Sequence, residues 1–112
     1  MPILPRIAII GSMEIDLSEE EVSDIADFFK VFGDPTRLKI LIALDKAGEM
    51  GVNQIAEAAS MSQSAISQQL KLLRASRLVK FRKDGRNAIY RLSDDHIHRI
   101  LSLGIEHYEE MM

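Results

Sequence analysis

All three histidines of this 112-residue chain lie in its last seventeen residues, interleaved with carboxylates. His96 and His107 are eleven residues apart. On a helix, at about 100° and about 1.5 Å per residue, both imidazoles return to nearly the same face but lie roughly 16 Å apart along the axis. Imidazoles and carboxylates are ligands of metal ions such as Zn²⁺. A single ion therefore cannot bind both histidines of one helix.

Pairing this helix antiparallel with a second copy of itself brings the side chains together. Residues of the two copies lie level when their numbers add to the same total, which is 203 for His96 with the partner's His107. Asp94 with the partner's Glu110 gives 204. One register thus gathers two imidazoles and two carboxylates, and a two-fold axis forms the site twice. The spacing favours an intersubunit metal site; the alternative is a polar dimer helix with solvated ends.

Asp94 and two neighbours of the ligands, Asp95 and His98, have different expected positions. On a regular helix Asp94 and His96 would point in nearly opposite directions, about 200° apart. We therefore predict that Asp94 lies near the N-terminal cap, where the helix does not fix its direction. Asp95 and His98 do not fit the level rule, and we expect His98 to be exposed or to lie behind the ligands.

The composition is that of one small domain, which dimerisation would help to stabilise. The chain has no cysteine, which excludes disulfides and thiolate metal ligands. The apolar run at residues 7–10 is far too short for a signal sequence or a membrane span, so we expect a cytoplasmic protein with no membrane partner. A zinc hydrolase would need a helical His-Glu-x-x-His pair or another nucleophile–base constellation. None occurs, so we do not expect an enzyme.

The net charge of −3 hides an asymmetric distribution. From Glu14 to Asp27 there are seven acids and no base, whereas from Lys71 to Arg91 there are eight bases and one acid, Asp84. Such asymmetry is typical of a local nucleic-acid-binding surface on an acidic protein. A solvated surface face would have the same appearance.

The N-terminal part of the chain, to about Lys46, contains an arm and two helices. Residues 1–17 have two prolines, a glycine and no helical period, which predicts a flexible N-terminal arm. Ser18 precedes three glutamates, the pattern of an N-cap, and residues 19–31 have amphipathic helical spacing. Asp34-Pro35 begins a second helix that runs to about Lys46, followed by a loop over residues 47–51. We predict one domain over residues 18–110.

A helix-turn-helix is predicted next. A short helix over residues 52–59, three connecting residues and a helix over residues 63–75 with Ser62 as N-cap have this pattern. Hydroxyls and amides on the polar face of the second helix suit base edges in a DNA major groove, although an ordinary surface helix can have a similar face. The residues of that face are Ser64, Ser67, Gln68 and Lys71.

A β-hairpin with cationic side chains follows directly. Residues 78–82 and 87–92 form the predicted strands, and Asp84-Gly85 is a strong turn signal because the turn needs positive φ. We expect its cations to meet phosphates or the minor groove; they are Arg82, Lys83 and Arg86. The predicted fold class is therefore mainly α with a small β-hairpin, a winged helix-turn-helix.

The chain resembles the ArsR/SmtB family of winged-helix metal-sensing transcriptional repressors. The resemblance rests on KVFGDPTRLKILIAL at residues 30–44, on MSQSAISQQLKLLRASRLVKFRKDGRNAIYRLSD at residues 61–94 and on the C-terminal helix. It covers about residues 19–110. It implies a homodimer through the N- and C-terminal helices, and double-stranded operator DNA as a partner.

The resemblance also implies that the protein binds a regulatory metal ion. The zinc and cobalt sensors of the family carry Asp-x-His, ten residues, then His-x-x-Glu or His-x-x-His, and Asp94, His96, His107 and Glu110 match this pattern. It implies Zn(II), or Co(II), as the regulatory ligand. Residues 50–53 lack the cysteines by which other members bind arsenic, lead or cadmium. The zinc sensors further imply a hydrogen-bond relay from His107, to which Gln63 and the backbone of Arg77 correspond.

The resulting hypothesis is a repressor that binds its operator as the apo-dimer. Zinc would then release it, so that metal efflux or resistance genes are transcribed. One alternative is a winged-helix repressor that responds to nickel, copper, redox or no signal, with a purely structural C-terminal helix. Another is a helical protein-interaction module without DNA, which leaves the basic hairpin without a role.

Overall fold

The computed structural model describes residues 8–10 and 13–112. The chain divides into two compact units, one ending at Gly33 and the other comprising Asp34–Met112. The described elements, in chain order, are β1 (Ala8–Ile10), β2 (Met13–Ile15), α1 (Glu19–Phe32), α2 (Pro35–Ala47), β3 (Met50–Gly51), α3 (Val52–Ala59), α4 (Gln63–Ala75), β4 (Val79–Asp84), β5 (Asn87–Leu92) and α5 (Asp95–Met111).

The first unit contains an unexpected pair of strands and the first predicted helix. β1 pairs antiparallel with β2, with Ile9 level with Glu14, in the segment for which the sequence predicted an arm. Strands of three residues are shorter than the window in which alternation is recognisable. α1 begins as predicted at the Ser18 cap, where the Ser18 hydroxyl accepts from the Glu21 N–H at 3.0 Å and the Glu21 carboxylate accepts from the Ser18 N–H. Its apolar stripe is largely exposed in the single chain, 42% for Ile25 and 55% for Phe29.

The core of the second unit lies where α2, α3 and α4 pack together. Asp34 caps α2 by accepting from the Arg37 N–H at 3.0 Å, and Ser62 caps α4 by accepting from the Ala65 N–H at 3.1 Å. These caps set the first residue of α2 and of α4, and both helices direct their apolar side chains into the core. The fully buried side chains are Ile40, Leu41, Leu44, Ile55, Ile66, Leu70, Leu73 and Leu78.

The predicted hairpin is present as β4 and β5, which pair antiparallel from Val79 with Leu92 to Asp84 with Asn87. Gly85 has φ +64° at the turn, a conformation that favours glycine. A third strand, β3, lies in the segment predicted as a loop and pairs with β5 through Met50 with Tyr90. A two-residue strand has no detectable period, so only its pairing with β5 defines it.

α5 follows the hairpin almost without a connection. Only Ser93 and Asp94 separate β5 from α5, and the Ser93 N–H donates to the Leu78 carbonyl at 3.0 Å. The first half of α5 buries Ile97 and Leu101, whereas every residue after Leu101 is exposed. Among the described residues, no helix is long and apolar enough to cross a membrane.

Candidate functional site

The predicted recognition surface is the polar face of α4. Its four candidate residues are all exposed, while Ile66, Leu70 and Leu73 on the opposite side are fully buried. Because the apolar stripe fixes the rotation of the helix, hydroxyl, amide and ammonium groups project outward together. The residues projected in this way are Ser64, Ser67, Gln68 and Lys71.

A groove of about 470 Å³ separates this helix from the hairpin. Gln63 and Ser67 line it from α4, and Arg86 and Asn87 line it from the hairpin. Hydrogen-bonding groups on one wall and a guanidinium on the other suit a groove that receives the edge of a nucleic-acid backbone.

The basic residues of this surface differ in whether an acid already binds them. Within residues 8–10 and 13–112, Lys71, Lys83 and Arg86 form no ion pair. Arg82, in contrast, donates to the Glu49 carboxylate from Nε at 3.3 Å and from Nη2 at 3.2 Å. These hydrogen bonds lower the pKa of Glu49 and raise the pKa of Arg82. Three of the predicted cations are thus available to phosphate, and the fourth is bound.

Aromatic contacts join the recognition helix to the hairpin. The guanidinium of Arg74, in the last turn of α4, lies 4.2 Å from the centre of the Phe81 ring on β4. Phe81 stacks on Tyr90 of β5 at 5.4 Å between ring centres. These contacts link the last turn of α4 to the sheet, because a cation over an aromatic face is attracted to it.

The metal ligands predicted from the sequence lie at the two ends of α5. Asp94 is the N-cap, as predicted, and its Oδ1 accepts from the His96 N–H at 2.8 Å. The same oxygen lies 3.2 Å from His96 Nδ1. His107 and Glu110 are exposed near the other end of the helix. One chain therefore brings together Asp94 with His96, but not the four predicted ligands.

No group of three His, Cys, Asp or Glu side chains within the described residues of one chain is placed to hold a metal ion. This agrees with the helix geometry, which separates His96 from His107 by eleven residues. His98, expected to be exposed or to lie behind the ligands, has its Nδ1 2.6 Å from Asp45 Oδ1 on α2. No local sequence pattern indicates this contact, because its partners are 53 positions apart.

The two predicted relay residues occupy opposite ends of α4. Gln63 is the first residue of the helix, and Arg77 lies two residues beyond its last, with φ +60°. A helix of thirteen residues is about 20 Å long, so no single hydrogen bond within one chain joins the two. Arg77 is next to Leu78, whose carbonyl binds the segment that leads into α5.

These features define the class of protein: a winged helix-turn-helix with an exposed recognition helix. A profile of the bacterial regulatory protein arsR family matches residues 34–80. A transcriptional repressor SmtB homolog from Synechocystis is 38% identical, over 84% of this chain and 70% of its own length. A cadmium resistance regulatory protein CadC homolog from Staphylococcus aureus is 32% identical, over 86% and 79%.

A solved homodimeric winged helix-turn-helix DNA-binding domain from Mycobacterium bovis matches with a TM-score of 0.73 and 29% identity, over 80% of this chain and 82% of that one. The chain belongs to the ArsR/SmtB family of metal-sensing transcriptional repressors. The predicted family and fold class are thereby confirmed. The matched relatives are transcriptional regulators, so the prediction that the chain is not an enzyme is also confirmed.

Proposed function

We propose that this chain is a zinc- or cobalt-responsive repressor that binds operator DNA in the cytoplasm as a metal-free homodimer and is released by the metal. The observation that carries the proposal is the shared face of α5, on which His96 and His107 flank the half-buried Ile100 and the exposed Leu103. In this proposal the DNA-binding surface and the metal ligands are two parts of one switch.

DNA binding is supported by the recognition surface. The outward hydroxyl and amide groups of Ser64, Ser67 and Gln68 are of the types that read base edges in the major groove. Lys71, Lys83 and Arg86 have no acid bound in the described part of the chain. They are therefore the proposed phosphate contacts, which position the recognition helix.

Dimerisation is supported by two apolar side chains on the histidine face of α5, of which Ile100 is half-buried and Leu103 is exposed in the single chain. At about 100° per residue, Ile100 and Leu103 point within roughly 40° of His96. Leu103 is 64% exposed. Ile100 and the partner's Leu103 also add to 203, the total that aligns His96 with the partner's His107. The register that gathers the metal ligands therefore also packs two apolar residues against each other, which buries them.

The metal site is supported by the chemistry and spacing of its donors. Ligand atoms around a tetrahedral zinc ion, with bonds of about 2.0–2.1 Å, lie roughly 3.3 Å apart. Asp94 Oδ1 and His96 Nδ1 are 3.2 Å apart, so these two residues form half of a suitable ligand set. The partner's His107 and Glu110 would complete it. Sensing of cadmium through thiolates is disfavoured because the chain has no cysteine.

When bound, the ion would supply a cross-link between the two α5 helices. The chain's own contacts then carry the change toward DNA. α5 is attached to the hairpin through Ser93, whose N–H binds the Leu78 carbonyl beside Arg77. We assign the proposed relay from His107 to the Arg77 end of α4, since Leu78, just beyond this end, is hydrogen-bonded to Ser93 in the segment that leads into α5. Metal and DNA then oppose each other reciprocally.

The proposal is tested by fluorescence anisotropy on a duplex selected from a random-sequence pool by the parent protein. Zinc should lower the affinity by about 5- to 150-fold, the usual range of allosteric coupling. His96→Ala and His107→Ala should bind the duplex normally and lose the response to zinc. His98→Ala is the matched control, because it removes an imidazole that binds Asp45 instead.

Co²⁺ absorption spectroscopy tests the site separately from DNA. Intense tetrahedral bands that appear in the parent and disappear in His107→Ala are the expected result. An unchanged affinity for DNA in saturating zinc would contradict the zinc mechanism. A response to nickel or copper with no response to zinc would identify a repressor with a different signal.

A further inference from the structure

Glu49 lies at the edge of the DNA-facing sheet, where an acid is unexpected. It immediately precedes β3, and β3 pairs with β5, which in turn pairs with β4. Arg82 on β4 is level with Ile89, and so is Gly51 on β3. The ion pair between Glu49 and Arg82 therefore crosses β5 and joins the two outer strands of the sheet.

The geometry of this pair resembles that of a guanidinium bound to phosphate. Two donors on one edge of Arg82, Nε and Nη2, each reach a different oxygen of Glu49, at 3.3 and 3.2 Å. Arginine binds phosphate oxygens through the same two-pronged edge. Arg91 also attracts Glu49, since its charge contributes to the lowered pKa of that carboxyl. The carboxylate thus occupies the position that a phosphate would take on a basic surface.

We propose that Glu49 acts as an internal phosphate mimic that keeps Arg82 from the DNA backbone and so limits binding to DNA of unrelated sequence. This inference rests on the proposed DNA-binding function. It separates the hairpin cations into two groups, with Lys83 and Arg86 as phosphate contacts and Arg82 as a masked one. It also replaces the sequence-based expectation that Arg82 meets phosphate.

The ion pair between Glu49 and Arg82 is exposed enough for the guanidinium to reach DNA once Glu49 is removed. The side chains of Arg82 and Glu49 are 56% and 43% exposed. An exposed ion pair is weak because water and salt screen it. Removal of Glu49 should therefore free the guanidinium without disturbing the core, because both side chains of the pair lie at the surface.

The test measures the salt dependence of binding to a random-sequence duplex, because each phosphate contact adds about 0.9 to the slope of log K against log salt. Glu49→Gln should steepen the slope by about 0.9 per subunit, and should raise affinity by roughly five- to tenfold at low salt. Arg82→Ala alone should leave the slope of the parent unchanged. The double variant Glu49→Gln/Arg82→Ala should return to the parental slope.

Glu57→Gln is the matched control, because it removes one negative charge from an exposed position on α3 that forms no ion pair in the described residues. Equal effects of Glu49→Gln and Glu57→Gln would overturn the proposal and leave only a general charge effect. A slope reduced by about 0.9 in Arg82→Ala would also overturn it, because Arg82 would then already contact phosphate.

Weaker binding by both Glu49→Gln and Arg82→Ala would instead mean that the pair braces the hairpin, and would likewise overturn the proposal. Circular dichroism of each variant confirms that the fold is retained.

Different results would contradict the proposed function and the role of Glu49. A parent protein that binds no DNA contradicts the proposed function, whereas a parent that binds DNA with an unaffected Glu49→Gln variant contradicts only the role of Glu49.

Discussion

Asp94 has two roles that depend on the same carboxylate. Its Oδ1 accepts from the His96 N–H at 2.8 Å, which caps α5, and the same atom lies 3.2 Å from His96 Nδ1. Capping needs only an acceptor, and asparagine is as good a cap as aspartate. A zinc ligand set, in contrast, benefits from the negative charge of a carboxylate. The two roles can therefore be separated by substitution.

We predict that Asp94→Asn retains the stability of the parent and loses most of its affinity for Co²⁺. Asp94→Ala should lose the same metal affinity and also about 1 kcal/mol of the free energy of unfolding, since the cap is removed. Urea denaturation of the metal-free protein and Co²⁺ titration measure the two effects. An Asp94→Asn variant that binds Co²⁺ as tightly as the parent would show that Asp94 is only a cap.

Which residue contacts could be predicted depends on their separation in the chain. The cap position of Asp94 followed from its spacing to His96, because both belong to one turn of helix. The contact of His98 with Asp45 and that of Arg82 with Glu49 join residues 53 and 33 positions apart. Neither has a local signal, since each depends on how the elements pack.

At the scale of elements, the helices with local start signals were predicted within one or two residues. α4 runs from Gln63 to Ala75 as expected, because Ser62 and the apolar stripe both specify it. β3 was missed because two residues have no period, and the β1–β2 pair because each strand has only three. The length of an element thus decided whether its pattern was visible.

The N-terminal turn of α4 offers a matched pair of serines. Ser62 accepts from the Ala65 N–H at 3.1 Å, whereas Ser64 is exposed on the recognition face. Ser62→Ala should therefore lower the free energy of unfolding by about 1 kcal/mol. Ser64→Ala should leave stability within about 0.5 kcal/mol, as expected for a surface substitution, and change the preferred DNA sequence. Thermal unfolding and selection from a random DNA pool measure these effects.

Two results would contradict the roles assigned to Ser62 and Ser64. If Ser62→Ala unfolds at the same temperature as the parent, the cap contributes nothing to α4. If Ser64→Ala selects the same sequences as the parent, Ser64 does not read bases.

At the scale of the whole molecule, α1 and α5 of the single chain leave large apolar side chains uncovered. Leu103, Tyr108 and Phe29 are each more than half exposed. Exposed apolar side chains that cluster on a surface usually mark an interface. The proposed homodimer would cover these side chains on α5 and on α1.

We predict that Leu103→Gln weakens dimerisation at least tenfold, because the glutamine must be desolvated at the proposed interface. Met112→Gln is the control, since Met112 is 81% exposed beyond the end of α5. Sedimentation equilibrium of the metal-free proteins measures the dissociation constants. Equal dissociation constants for the two variants would exclude Leu103 from the interface.

Because the connection between β5 and α5 is short, the hairpin must move together with α5. Only Ser93 and Asp94 lie between the two elements, and Ser93 is itself tied to Leu78, so a rotation of α5 has no loop in which to be absorbed. β5 is six residues long, about 20 Å, and a rotation of about 5° at its base would displace the tip by roughly 2 Å. A hydrogen bond is lost over a much smaller displacement, since its donor–acceptor distance spans only about 2.7–3.2 Å. A ligand that turns α5 by a few degrees could therefore remove Arg86 from the DNA backbone while every secondary-structure element stays intact.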